Sequence, residues 1–463
     1  MSLHVEATIP GFTGRVVTAG DADYDAVRKV WNGAIDHRPA VVAQCHRAED
    51  VAAALAYARG QGLELSVRGG AHQFGGNAVW PDGLTVDLSP MRAVAVDPQA
   101  RVARCQGGAL LSDLDAATQE HALAVPAGTI SHTGVGGLTL GGGFGWLTHD
   151  HGMSLDNLLS AQVVLADGRV VEASADAHPD LFWALRGGGG NFGVVTEFRF
   201  RLHPVGPLVH VGLLFWPLSQ GTEALGLARE TIAGLPPGVG ALLACAMSAP
   251  PAPFVPPEHH FTPGYALVLA GFGTAEQHAT VVDPVRAALP PLFDFVSPLP
   301  YTALQSMLDD AAPPGILAYE RALYLDELTD EVIAVITRYA AQKSSPMSFS
   351  PIFRLDGAFA EVDDAATAFG GARRPGYVVN LAAIAPAADL LAADTAWVRS
   401  YWAALLPHAR GAGSYVNFMV EPDQERVLAA YGPEKYRRLA KIKAEYDPQN
   451  VFRHNANIAP AAA

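Results

Sequence analysis

The order of apolar and polar positions divides the chain into short elements. Residues 39–48 (PAVVAQCHRA) read as a buried strand ending at a turn. EDVAAALAYARGQG (49–62) has acids in its first turn, helical apolar spacing and a terminal glycine, so a helix is predicted there. LELSVRGG (63–70) alternates and then breaks at a glycine pair, which predicts a strand. GLTVDLSPM (83–91) is a further short strand, and VAVDPQARVARCQGG (94–108) reads as a hairpin turning at 97–99. GALLSDLDAATQEHAL (108–123) has a helical period. AQVVLADGRVVEAS (161–174) joins two β-branched runs at Asp167 and Gly168, a strong hairpin signal. RGGGGNFGVVTEFRFRLH (186–203) passes from a glycine turn into an alternating strand. This mixture predicts an α+β fold.

After residue 205 the pattern changes. Glycine clusters thin out and prolines gather at 236–237, 250–263 and 289–300. Alternating runs such as YALVLAGFG and helical ones such as LTDEVIAVITRYAAQ take over, which predicts an antiparallel sheet covered by helices. From 411 the character shifts again, with a predicted strand (SYVNFMV), a basic helix (PEKYRRLAKIKAEY) and a turn (DPQN). The expected division is therefore 1–205, 206–410 and 411–463.

Length and composition agree with more than one core. The chain has 463 residues, half of them hydrophobic, with 46 glycines and 34 prolines. Its formal net charge of −15 speaks against a nucleic-acid partner, which needs a basic surface. An anionic cofactor stays open, because backbone N–H groups can hold phosphate. Cys45, Cys105 and Cys245 have neither pair nor metal spacing, so no disulfide framework and no metal site is expected. The N-terminal MSLHVEATIPGFTG lacks a basic region followed by an apolar run, and no stretch nears the roughly 18 apolar residues of a membrane span. The expectation is a cytoplasmic protein without a membrane partner. The pattern sets no oligomeric state.

Four stretches are candidates for chemistry. In Val67-Arg68-Gly69-Gly70-Ala71-His72 a strand ends in bare backbone, and an imidazole follows the turn. In 128–145, GTISHTGVGGLTLGGGFG, eight of eighteen residues are glycine. This is not a GxGxxG fingerprint, since no βαβ unit with a later acid surrounds it. It suits either tight turns or a nest of backbone N–H groups around a large planar anionic cofactor. The third is Gly187–Gly190 with Asn191, Phe192 and Gly193. The fourth runs from Tyr446 to Arg453 and on to Asn455 and Asn457.

In this order the stretches RGGAH, PAG with GVGGLTLGGGFGWL, LFWALRGGGGNFGVVT, YVNF and YDPQNVFRHNANI resemble the berberine-bridge-type, PCMH-type branch of the vanillyl-alcohol-oxidase fold. The resemblance covers about 20–205 and 410–458. It implies an N-terminal FAD domain completed by the C-terminal segment, with the middle of the chain covering the flavin as a substrate domain. It also implies FAD bonded to His72 through the flavin 8α-methyl, which the electron-poor ring makes reactive toward imidazole. Arg68, Gly69, Gly70, Ala71, Gln73, Ile130, Ser131, Thr133, Gly134, Gly136, Gly137, Gly141, Gly142, Gly145, Gly193, Val194, Val195, Tyr415, Asn417 and Asn455 match the family's cofactor-binding positions.

Departures from the family pattern sharpen the expectation. Ile130 stands where many members carry a second, cysteinyl flavin link, so attachment through His72 alone is implied. Ala71 replaces a common glycine. Thr133 sits where oxygen approaches the reduced flavin, and its valine-like shape favours an oxidase over a dehydrogenase. Phe418 replaces the tyrosine that serves as base in relatives oxidising alcohols. Tyr415, Asn417, His259, His260, Tyr265, Tyr319 and Arg321 are the substitutes considered, and Tyr415, Asn417 and Thr133 are taken as the catalytic set.

The first expectation is an FAD oxidase that takes hydride from a C–H next to oxygen or nitrogen of a small or secondary-metabolite substrate, with O₂ giving H₂O₂. A second follows from Ile130, Thr133 and Phe418, which make the chain similar to the bacterial, singly linked enterocin-pathway type. Those oxygenate polyketide-like substrates through a flavin–oxygen adduct. A flavin-binding protein without turnover is the third.

Overall fold

The computed structural model describes residues 8–411, 413–421 and 423–462. Residues 1–7, on which part of the expectation about a leader rests, lie outside them. The chain is α+β, as its pattern predicts, and is organised on three main sheets.

The first sheet runs in the order Arg15–Val17, Val41–Gln44, Leu84–Asp87, Leu65–Arg68. Its last three strands are parallel, with Val41–Gln44 and Leu65–Arg68 joined through the helix Ala48–Gln61. Parallel strands are buried on both faces, hence the continuous apolar runs. The helix closes on Gly62 at φ +65°, a left-handed residue that glycine adopts freely.

The second sheet is antiparallel, in the order Val94–Asp97, Val102–Gln106, Val194–Arg201, Leu158–Val164, Val170–Ser174. Both predicted hairpins are present. The turn of the first is held by Asp97, whose carboxylate accepts from Gln99 N (3.0 Å) and Ala100 N (2.9 Å).

The third sheet has seven antiparallel strands, ordered Phe293–Pro300, Leu208–Pro217, Pro263–Gly271, Val239–Ser248, Ser350–Leu355, Gly376–Ala385, Leu317–Leu325. Side chains alternate along these strands. Ile352, Val379, Leu381, Ala383 and Leu323 pack under the helices Gly221–Ala233, Asp330–Ala340 and Ala388–Leu405. The other parity, including Pro351, Phe353, Asn380, Ala382 and Glu320, looks into the molecule at a cavity.

The C-terminal segment joins the core of the second sheet: Tyr431, Leu439, Ile442 and Ile458 pack with Phe192, Phe198 and Leu181. The YDPQNVF stretch has a structural reason. Fully buried Lys443 pairs with Asp447 at 2.6 Å and donates to Asn191 O (2.6 Å) and Phe452 O (2.9 Å). Asp447 in turn accepts from Val451 N (2.8 Å) and Phe452 N (2.9 Å). The C-terminus is thereby tied to the glycine turn at 187–193.

Two local expectations differ from the structure. SYVNFMV is not a strand; Val416–Phe418 forms a 3-10 turn. The side chain of Asn417 donates to Leu138 O (3.1 Å) and to Tyr415 Oη (2.9 Å), and such side-chain bonding competes with a strand ladder. The basic helix begins earlier than Pro433, at Gln424 behind the Asp423 cap, and breaks at Gly432 where φ is +71°.

Candidate active site

A continuous cavity of about 350 Å³ lies between the seven-stranded sheet and the other two. One part of its wall is backbone from the glycine loops, another is side chains of three adjacent strands. On the backbone part an added Cβ on Gly137 would meet nothing within 4 Å, and one on Gly189 only Asn191 Nδ2 at 3.8 Å. Bare peptide therefore faces open space there, which suits a large ligand in close backbone contact. Gly70 is required for another reason: its Cβ would fall 2.4 Å from Gly134 N, so two of the loops touch through glycine.

His72 stands beside this wall. Ala71 before it has φ +52°, the left-handed region that the family's usual glycine adopts without cost. The imidazole stacks on Trp31 (centroids 4.8 Å, 22°) and lies 5.0 Å from the ring of His132. Burial pushes its pKa down to about 3, with a smaller contribution from His132. The ring is neutral at physiological pH, and its buried Nε2 has no hydrogen-bond partner among the described residues. An uncharged imidazole keeps one basic ring nitrogen and can act as a nucleophile.

Most residues expected to hold the cofactor do line the cavity: Gly69, Gly70, Ala71, His72, Gln73, Ile130, Thr133, Gly134, Gly136, Gly137, Gly193, Val194, Val195, Tyr415, Asn417 and Asn455. Five do not. Arg68 bonds Val27 O and lies 3.8 Å from Asp87, so it braces the strand end. Ser131 gives its N–H (2.8 Å) and hydroxyl (2.5 Å) to Asp309. Gly141, Gly142 and Gly145 are small to admit Asn417, Tyr415 and Ala127 O, since a Cβ would approach these within 2.2, 2.9 and 2.1 Å.

All three residues of the expected catalytic set line the cavity, but two of them have polar atoms engaged with protein partners. Tyr415 Oη accepts from Gly143 N (2.9 Å) and Asn417 Nδ2 (2.9 Å), and burial pushes its pKa up to about 12. Both donor hydrogens of Asn417 are thus committed, to Leu138 O and Tyr415 Oη. These two side chains hold the helix Val135–Gly141 against the C-terminal segment. Thr133 and Phe418 line the cavity as well.

The middle-segment candidates lie elsewhere. Tyr265 is in the helix-side core, and His260 Nε2 bonds Val255 O (3.1 Å) in a loop beside His259. Tyr319 and Arg321 bond each other (2.9 Å) and gather near Arg399 and Glu421 on the helix side of their strand. Glu320, between them, points the other way. It is 2% exposed, lines the cavity, and accepts from Asn380 Nδ2 at 2.9 Å. Asn380 Oδ1 is buried without a partner among the described residues. Burial pushes the Glu320 pKa up to about 8, opposed by the Asn380 hydrogen bond. The signal in the sequence was a single acid inside LAYERALYL, on the parity of Ala318 and Ala322.

Bare backbone on the wall of a cavity that also holds a neutral histidine and a buried carboxyl suits a cofactor-dependent oxidoreductase, and the comparisons identify the cofactor class as FAD. Residues 39–174 match the family model described as FAD binding domain, and 414–459 the one described as berberine and berberine like. The chain is 30% identical to (R)-6-hydroxynicotine oxidase of Paenarthrobacter nicotinovorans over 463 residues, 98% of each protein. The solved 6-hydroxy-D-nicotine oxidase of Arthrobacter nicotinovorans superposes with a TM-score of 0.85 at 26% identity, covering 99% of this chain and 100% of that one. Glucooligosaccharide oxidase of Acremonium strictum, whose FAD is described as 6-S-cysteinyl and 8α-N1-histidyl, shares the fold (TM-score 0.84, 24% identity, 97% of this chain and 98% of that one). This chain belongs to the berberine-bridge-like family of FAD-linked oxidoreductases with the PCMH-type FAD-binding fold. Among the described residues no helix is long and apolar enough to cross a membrane.

Proposed function

We propose that the protein is an FAD-dependent oxidase acting on a compact, largely apolar alcohol or cyclic amine, with the cofactor attached through His72 alone and O₂ as electron acceptor. The observation carrying this reading is one cavity lined by bare backbone, His72 and the Glu320–Asn380 pair. FAD when bound supplies the hydride acceptor. Glu320 takes the O–H or N–H proton of the substrate as hydride leaves the adjacent carbon, and Asn380 Oδ1 accepts a second substrate donor. Phe349, Pro351, Phe353, Leu308 and Ile384 cover the substrate body and exclude water.

This lining disfavours a sugar. Each buried hydroxyl left unpaired costs about 1–3 kcal/mol, and few side-chain polar groups face that part of the cavity. The hydroxynicotine-oxidising relative supports an aromatic or amine substrate. The division of the chain at 205 and 411 is part of the same proposal, with the middle segment as substrate domain. Ile130, at the position of the second flavin link in other members, supports single attachment.

The test is anaerobic mixing with aryl alcohols, cyclic amines and glucooligosaccharides, followed by air. Bleaching by the first two classes, then peroxide on aeration, is expected. Bleaching by oligosaccharide alone would sink the substrate class, and a flavin that no donor bleaches would sink the oxidase reading. Oxygenation of a polyketide-like substrate is the second reading, favoured by the polar residue Thr133 on the cavity wall. Oxygen-18 from O₂ recovered in the product would decide for it.

A further inference from the structure

His72 has a neighbour that the reading above does not use. The ring of His132 lies 5.0 Å from that of His72, tilted by 34°. In both rings Nε2 is buried and meets no partner among the described residues. A buried polar atom without a protein partner is met by water or a ligand, or serves a task. His132 is held in place by its neighbour Ser131, anchored twice to Asp309. The Asp309 charge also favours a proton on the His132 ring, against a larger opposing effect of burial.

Attachment to a flavin makes a specific demand here. An imidazole alkylated on one nitrogen stays cationic until the proton on its other nitrogen departs. The surroundings of His72 oppose a cation, since burial pushes its pKa down to about 3. The ring proton therefore needs an acceptor within the site, and His132, partly exposed and beside a carboxylate, is placed to be one.

We infer that His132 is the proton acceptor that allows His72 to become covalently linked to FAD. The inference rests on the reading of His72 as the attachment residue. In the step, a C–H bond of the flavin 8α-methyl and the N–H bond of His72 break, and a C–N bond forms. The methyl proton goes to solvent, and the ring proton passes to His132 and then to water. Two electrons remain on the flavin ring until O₂ removes them, with two protons, as H₂O₂.

The experiment uses the full chain. Parent, His132→Ala and His132→Gln proteins are incubated aerobically with excess FAD, and intact mass after acid denaturation gives the fraction carrying one FAD over time. Binding of unlinked FAD, read by fluorescence quenching, reports whether each variant is folded. Both variants are expected to bind FAD yet attach it on the order of 100-fold more slowly, as for loss of a general base. Free imidazole should speed attachment in His132→Ala, which a purely structural role would not produce. Attachment at the parent rate in either variant that binds FAD overturns the inference. If His132→Ala binds no FAD, His132→Gln decides by the same criterion. A parent chain that releases all its FAD on denaturation overturns the His72 reading itself, and the relay with it.

Discussion

Two parts of the cavity wall, the backbone end and the sheet end, are built on different principles. The backbone end is made by loops at 69–72, 128–137 and 189–195, where each contact falls among consecutive residues. The sheet end is made by Glu320, Phe353 and Asn380, which come from three strands lying side by side in the seven-stranded sheet. A loop that must bring bare peptide against a ligand shows that demand as local glycine. A sheet face shows only every second residue of each strand, and which parity faces inward depends on what packs behind it. One end therefore writes itself as a motif, while the other is distributed over sixty residues.

The largest effect that would break this comparison is at the loop end. His72→Ala should leave FAD bound but unlinked, so that acid releases all of it into the supernatant, with slower turnover in the remaining complex. Flavin that stays with the denatured His72→Ala protein would remove this residue from the site.

At the sheet end, Glu320→Gln keeps shape and loses the proton acceptor. Flavin reduction by a substrate that bleaches the parent should slow by about 10²–10⁴-fold. In the parent, reduction should quicken as pH rises through about 8, where Glu320 ionises, and the variant should lose that rise. Stability carries an opposite sign. The folded pKa of about 8 lies above the ordinary 4.5, so between these values the folded chain holds a proton that the unfolded chain has released. Parental stability therefore falls as pH rises across that window, and Glu320→Gln removes the fall. The variant should melt higher than the parent at pH 8, relative to their difference at pH 4.

Asp447→Asn tests the joint between the C-terminal segment and the glycine turn. It strands Lys443 as a buried unpaired cation and should cost about 3–5 kcal/mol, read by denaturant unfolding. Tyr319→Phe is the counterpart of Glu320→Gln on the helix side of the same strand. It should leave flavin reduction within about twofold, and a loss like that of Glu320→Gln would mean the strand's parity is misread. Ala71→Gly is the smallest change. By relieving a left-handed alanine it should raise stability by about 0.5–1 kcal/mol without altering FAD linkage.

The sequence by itself determined the α+β class, the hairpins within 94–108 and 161–174, and the glycine loops that line the backbone end, because these follow from near-neighbour periodicity and turn chemistry. His72 was singled out by the resemblance to the berberine-bridge-type family and not by the turn alone, and the structure puts it on the cavity wall. The sequence did not separate glycines that face the cavity from Gly141, Gly142 and Gly145, which make room for protein atoms, since both demands select the same residue. It pointed to Tyr319 and Arg321 and passed over Glu320. That choice belongs to tertiary structure alone: the helices Asp330–Ala340 and Ala388–Leu405 bury one parity of the strand Leu317–Leu325, and the pleat turns the other parity, with its lone carboxyl, into the cavity.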